Sequence, residues 1–210
     1  MNCSGLMFGI MGIESGDQEQ LDRMNKHQIT GNMKRGIEQL DAYGINTVLT
    51  FVVGFPGEND QTLKNTANFL NDLSLTTLSS SYQLYSLLIQ PLSELADASS
   101  RTKWNIEGSM DKWSHYTMNS EDSFKACYYL FREITNVPYH YFEERTFFNK
   151  AKFNLTTRKS LYQLRQQLTI RLIENAAWDQ IEPILKDLAQ QMKTPVDKID
   201  ESVRDQILYS

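Results

Sequence analysis

The chain has 210 residues, 40% of them hydrophobic and 22% charged, with a net charge of −5, enough for a real core and against general nucleic-acid binding. No apolar run approaches the roughly 18 residues of a membrane helix, and no basic region precedes the first apolar stretch as in a signal peptide. Cys3 and Cys127 stand too far apart in sequence to suggest a metal or disulfide pattern, which fits two reduced thiols in a cytoplasmic protein.

The first element predicted is a buried strand, Leu6 to Ile13, with glycines where packing is close. It ends in Gly12-Ile13-Glu14-Ser15-Gly16. Ser15 or Asp17 caps a short helix that buries Leu21 and Met24. From Thr30 a second helix carries Met33, Ile37 and Leu40 on one face, and Gly44 is placed to end it in a left-handed turn. Thr47 to Val53 is β-branched and aromatic, hence strand. It runs into Gly54-Phe55-Pro56-Gly57-Glu58. Asn59 or Asp60 caps a third helix with Leu63, Ala67 and Leu70 on one face, and a further strand is expected between Ser80 and Leu88.

Strand and helix alternating in this way make right-handed crossovers with a parallel sheet. Three strands are too few to cover both faces of such a sheet, so this part is expected to be incomplete alone or to have a partner. Residues 91–118 read as irregular. Asn119 or Ser120 opens a helix through Ile134, and Asn136 to Pro138 breaks it. After Thr156 the pattern is helical: Leu161, Leu164, Leu168 and Leu172 form one stripe, and Ile181, Leu185, Leu188 and Met192 another. Thr194-Pro195 starts a last helix with Val196, Ile199, Val203 and Ile207. The expected organisation is a partial barrel over 1–90, a post-barrel extension over 91–152 and a helical tail over 153–210.

Glu14 at a strand end has two readings: a turn residue capping the next helix, or a carboxylate accepting bonds from a vicinal diol such as a ribose, with Ser15 beside it. The glycines of the Gly54–Glu58 turn let backbone approach a ligand, with free amides to cradle polar groups and Pro56 to stiffen the turn; a tight strand-to-helix connection is the plainer explanation. From Arg145 to Arg171 seven basic residues occur with no acidic one, interleaved with Phe147, Phe148, Phe153 and Tyr162. That pattern suits either a solvated helix face or a track for a phosphate backbone. No Ser-His-Asp order, HExxH or GxxxxGK is present.

The two glycine turns, with Leu21-Asp22-Arg23-Met24-Asn25-Lys26 between them, closely resemble the later part of a radical S-adenosylmethionine (SAM) enzyme. The Trp113-Ser114-His115-Tyr116-Thr117-Met118 stretch resembles one that follows the barrel in cobalamin-binding members. The resemblance implies a partial (β/α) TIM-like barrel holding the fourth to sixth strands, followed by a helical extension. It implies SAM contacts from Glu14, Ser15, Lys26, Gly54, Phe55, Pro56, Gly57 and Glu58. It places Tyr82, Tyr85, Trp113 and His115 around a substrate, with Trp104 adding aromatic surface. The family's cofactors are SAM and a 4Fe–4S cluster, with cobalamin in this group; the resemblance admits methylation and leaves other radical reactions open. The chain departs from the family in having no CxxxCxxC, and the cobalamin domain is expected elsewhere. By itself it is therefore expected to be an inactive portion of such an enzyme that needs a complementing polypeptide. A non-catalytic barrel half, or a helical module binding a peptide, carrier protein or RNA, is the alternative.

Overall fold

The computed structural model describes residues 6–140 and 153–192. Cys3, Arg145, Phe147, Phe148, Lys150, Lys152 and the helix expected after Thr194 lie outside them. The chain divides into two compact units, Met1–Val137 and Pro138–Ser210.

The first unit is built on a parallel sheet in the order β1 (Phe8–Glu14), β2 (Asn46–Val53), β3 (Ser80–Ser86). Between β1 and β2 come α1 (Gln18–Arg23) and α2 (Thr30–Ala42), and between β2 and β3 comes α3 (Asp60–Asn71). Strands added in one direction through right-handed crossovers carry their helices on one face. Burial follows. In β2, Thr47, Leu49, Phe51 and Val53 are all buried; on the other face Val48 is buried too, but Thr50 and Val52 are only half-buried. Across the sheet that second face continues through Ile10, 67% exposed, and Tyr85, 49% exposed. Among the described residues, helices thus cover one side of the sheet.

Local chemistry sets the ends. Asp17 caps α1, accepting from the Gln20 amide at 2.8 Å. Ile29 before α2 gives no side-chain cap. Gln18 does so instead: its Oε1 accepts from the Thr30 amide while its Nε2 donates to the Gln28 carbonyl. Gly44 takes the left-handed conformation expected of it, φ 67°. Asn59 and Thr62 form a reciprocal capping box at α3. A buried carboxylate anchors the approach to β3: Asp41 of α2 accepts from the backbone amides of Thr76, Thr77 and Ser79 at 2.6–2.8 Å.

Residues 91–118 are more ordered than their composition suggests. They contain a 3-10 turn (Glu94–Ala96), α4 (Ala98–Trp104) and an antiparallel hairpin of β4 (Glu107–Ser109) and β5 (Lys112–Ser114). Trp113 is the reason: it is buried with Leu87, Ile89 and Ile106 and donates its indole N–H to the Leu87 carbonyl at 2.8 Å. Arg101 secures the same region by donating to the carbonyls of Ala96 and Gly108. α5 (Ser120–Glu133), capped by Asn119, runs alongside α3; Asn71 at the end of α3 donates to the Glu133 carbonyl and accepts from the Thr135 amide.

In the second unit, α6 (Leu155–Ile173) and α7 (Trp178–Met192) pair as a helical hairpin. Leu161 and Ile181 from the two expected stripes are buried, while Leu172 is exposed near the turn between the helices. No helix among the described residues is long and apolar enough to cross a membrane.

Candidate functional site

The C-terminal ends of β1 and β2 lie side by side, with Glu14 in register with Phe51 just before Gly54. The register shifts between Gly12 and Glu14, and Glu14 has φ 66°. A left-handed turn at a side-chain-bearing residue is costly, on the order of 1–2 kcal/mol. Here it re-aims the carboxylate back over Gly12. A Cβ on Gly12 would fall 2.6 Å from Glu14 Oε1, so only glycine leaves the space this carboxylate occupies. Lys26 Nζ meets the same oxygen at 2.9 Å. Lys26 is itself flanked by two left-handed residues, Asn25 (φ 56°) and His27 (φ 50°). Both members of the ion pair are only partly exposed, so they form a charged floor at the strand end rather than a loose surface contact.

Ser15 is placed differently. It is buried, its hydroxyl 3.3 Å from that of Thr66 in α3 and accepting from the Asp17 amide. Gly16 has no room for a side chain, because a Cβ would meet Thr66 and Phe69 at under 3 Å. Ser15 and Gly16 therefore fasten the strand end to α3.

The second glycine turn is a stiff, backbone-bonded loop. The Glu58 amide donates to the Phe55 carbonyl at 3.0 Å, with Pro56 and Gly57 (φ 98°) as the central residues, the pattern of a type II turn. Gly54 also has a positive φ of 95°, and a Cβ there would strike Ser123 and the Trp113 ring. The polar groups that hold this loop come from α1 and α5. Gln20 of α1 donates from Nε2 to the Phe55 carbonyl at 3.0 Å, and its Oε1 accepts from Arg23 at 2.7 Å. Arg23 lies across Gly57, where a Cβ would come 2.6 Å from its Cδ. Ser123 of α5 donates to the Val53 carbonyl at 2.7 Å and sits 2.8 Å from the Ser86 hydroxyl, tying the ends of β2 and β3 together.

Glu58 is buried behind the turn. Its Oε2 accepts from the Gly54 amide at 2.6 Å and its Oε1 from the Thr62 hydroxyl at 3.3 Å. Burial raises its pKa to about 7; the Gly54 and Thr62 bonds oppose that, Asp17 adds to it and Arg23 works against it. The Gly54 amide is thus committed to Glu58, and the Gly57 amide donates to Thr117 at 3.1 Å.

Trp113 and His115 reach the same loop from its far side. Their rings stack at 5.0 Å, and His115 Nε2 lies 2.8 Å from the Gly54 carbonyl. Burial lowers the pKa of His115, partly offset by its bond to Gly54. Tyr82 is fully buried on the helix-covered side of β3, while Tyr85 stands on the open face with its hydroxyl donating to Gln83. The structure therefore gathers Glu14 with Lys26, and Gly54–Glu58 with Trp113 and His115. Gln20 and Ser123, which hold the loop, carry no sequence motif, and Arg23 was read only as part of the 21–26 stretch, with no role given to it. Gln20 was detectable only as a polar residue beside the buried Leu21.

Cys127 lies in α5 with its thiol pushed up to about 12, chiefly by burial and then by the charge of Glu58. A thiol so held is protonated and unsuited to bind iron, which takes thiolate. Among the described residues, no three His, Cys, Asp or Glu side chains stand together as a metal site.

Residues 10–70 match the Radical SAM superfamily. A stretch of 63 residues is 29% identical to an uncharacterized protein of Methanocaldococcus jannaschii, covering 30% of this chain and 12% of that protein. The family match runs from β1 nearly to the end of α3. It includes Glu14, Ser15, Lys26 and the Gly54–Glu58 loop; Trp113 and His115 lie beyond it.

Proposed function

We propose that this chain supplies part of the SAM and substrate site of a radical SAM enzyme, with the ends of β1 and β2 as its cofactor side. The Glu14–Lys26 pair carries the reading. Three left-handed residues and a glycine whose missing side chain leaves the carboxylate its place hold a carboxylate and an ammonium together at a strand terminus. Backbone strain concentrated this way is characteristic of binding and catalytic sites. The pair also fits the ligand chemically. SAM presents an amino-acid end with an ammonium and a carboxylate, and a ribose with a vicinal diol. Lys26 suits the carboxylate, and Glu14 suits the ammonium or the diol. The Gly54–Glu58 loop would support the same ligand from the neighbouring strand, with Phe55 and Pro56 as its stiff surface.

SAM, when bound and reduced, supplies radical chemistry; the residues of this chain bind and orient it. The described residues do not fit the 4Fe–4S cluster, whose thiolates would come from another segment, and the chain alone would not catalyse. The open face of the sheet, with Ile10 and Tyr85 exposed, supports a complementing segment or partner that encloses a substrate there. Tyr85 is the substrate-facing residue of this proposal. Cobalamin-dependent methylation is its finer form, resting on the resemblance of the 113–118 stretch.

The test is a titration of the isotopically labelled chain with SAM, followed by amide and side-chain NMR. Shifts centred on Gly12–Lys26 and Gly54–Glu58, lost in Glu14→Ala, are expected. A saturating titration that perturbs neither segment sinks the proposal.

A further inference from the structure

We propose that His115 and Thr117 are positioning residues for the Gly54–Glu58 loop, acting through one hydrogen-bond relay that grips the loop at both glycines. The inference deepens the reading given above and rests on it for the loop's role toward SAM. The relay itself rests on geometry alone.

Its atoms are arranged in one sense only. The Gly54 carbonyl has no proton to give, so His115 Nε2, 2.8 Å away, must carry the hydrogen and donate it. The neutral ring then has a lone pair at Nδ1. Two groups approach that lone pair: the Thr117 amide at 3.3 Å and the Thr117 hydroxyl at 3.2 Å. The amide can only donate, which again assigns Nδ1 as acceptor. The Thr117 hydroxyl, donating to Nδ1, keeps its oxygen lone pairs for the Gly57 amide at 3.1 Å. The chain of donation runs from Gly57 N–H to Thr117 Oγ1, from Thr117 O–H to His115 Nδ1, and from His115 Nε2–H to the Gly54 carbonyl.

Each glycine of the turn is thereby fixed by a group it cannot replace internally. The Gly57 amide, central in a type II turn, points away from the turn's own Phe55–Glu58 bond. Gly54 is held from two directions, its amide by Glu58 and its carbonyl by His115. The imidazole is fixed in turn by stacking on Trp113, itself anchored to the Leu87 carbonyl. His115 is 8% exposed and reaches only the back of the loop, so it acts through the loop rather than on a substrate.

The experiment uses the whole chain and two measurements that do not need an active enzyme. First, long-range nitrogen–proton NMR of the imidazole should show a neutral ring protonated at Nε2 at pH 7.5. Second, hydrogen exchange at the Gly57 amide should quicken about tenfold in Thr117→Val, the scale of one lost hydrogen bond, and return to the wild-type rate in Thr117→Ser. His115→Phe, which keeps an aromatic ring against Trp113 but donates nothing, should loosen Gly57 likewise. The Nδ1–H tautomer, or unchanged Gly57 exchange in Thr117→Val, overturns the relay. SAM titration of the same variants separates the two ideas. Weaker SAM binding in Thr117→Val with restoration in Thr117→Ser supports positioning toward the ligand. Wild-type SAM binding that survives loosening of Gly57 overturns that role. A chain that binds no SAM, yet shows the Nε2–H ring and the Thr117→Val effect, overturns the proposed function and leaves the relay standing.

Discussion

Glu14 Oε1 and Lys26 Nζ lie 2.9 Å apart across the space where Gly12 has no side chain. The first expectation is that Gly12→Ala disrupts this pair more than it disrupts the fold. The added methyl would sit 2.6 Å from the carboxylate oxygen, and that oxygen ends a side chain able to rotate away. The outcome is a displaced Glu14 and a loss of stability under about 1.5 kcal/mol, the low end of overpacking effects. Chemical denaturation should show that small loss, while NMR shifts of Glu14 and Lys26 should change strongly. Unchanged side-chain shifts would show that the pair does not depend on Gly12.

Glu14→Ala is the complementary test at the ligand. Glu14 contributes little to stability through a part-exposed ion pair, worth roughly 0–1 kcal/mol. It should matter more to a bound cation or diol, on the order of 1–3 kcal/mol for a charged hydrogen bond. Calorimetric titration with SAM should find about ten- to hundredfold weaker binding, with a melting temperature shifted by only a few degrees. Equal affinity would remove Glu14 from the site.

Glu58 makes stability depend on pH in a defined direction. Its pKa is 4.5 ordinarily and about 7 in the folded chain. The native state therefore holds its proton more tightly than the unfolded state, and stability falls as pH rises from about 4.5 through 7. The loss is on the order of 3 kcal/mol. His115 works oppositely: its lowered pKa keeps its share of stability intact above 6.5 and loses it as pH falls below that value. Comparing Glu58→Gln with wild type isolates the carboxyl. Glutamine keeps an oxygen for the Gly54 amide and carries no charge to bury. Its advantage over wild type should grow from pH 5 to pH 8 in urea unfolding. A constant difference across that range would show that Glu58 does not titrate there.

The sequence made the strand ends legible, because the apolar runs stop at glycines: Gly12 and Gly16 stand where close neighbours leave little room for a side chain, and Gly54 and Gly57 take positive φ. Glu14 was visible as the carboxylate at such a strand end, whereas Lys26 was marked only by the family resemblance. The helix starts were legible to within two residues, and Asp17, Asn59 and Asn119 are the candidates that cap. The order within 91–118 was not legible. It depends on Trp113 finding Leu87, Ile89 and Ile106 in space and on Arg101 finding two carbonyls, contacts with no periodic trace. The inward placement of His115 was hidden similarly: a histidine's pattern does not say whether its partner is a ligand or the Gly54 carbonyl. Asp41 left a faint signal, a carboxylate one turn after the buried Ile37 on the apolar face of α2.

That signal yields the next expectation. Asp41 is fully buried and accepts three backbone amides from the segment leading into β3. Asp41→Ala leaves those donors without their acceptor and should cost about 3 kcal/mol or more. Asp41→Asn should do little better, since its NH2 must face at least one amide donor, unlike Gln at position 58. A melting temperature lowered by roughly 6–12 °C in both variants is expected. A near-wild-type Asp41→Asn would show that the carboxylate's charge and second oxygen are dispensable.

Three thiolates must converge to bind the 4Fe–4S cluster associated with the matched superfamily. This chain has two cysteines, Cys3 and Cys127. Cys127 sits in α5 with its thiol pushed up to about 12, so it offers no thiolate at neutral pH without local opening of the helix. Anaerobic reconstitution of the 210-residue chain with iron and sulfide should therefore leave no stoichiometric cluster and no broad visible absorption near that of iron–sulfur proteins. Incubation with SAM and a reductant should release no 5′-deoxyadenosine. Co-expression with a polypeptide bearing CxxxCxxC and able to pair against β1 should restore both. Cys127→Ser should leave the restored cluster unchanged, which distinguishes a buried structural thiol from a ligand. Iron and sulfide analysis showing a full cluster in the isolated chain, abolished by Cys127→Ser, would overturn this reading of Cys127 and make the chain a cluster-binding protein in its own right.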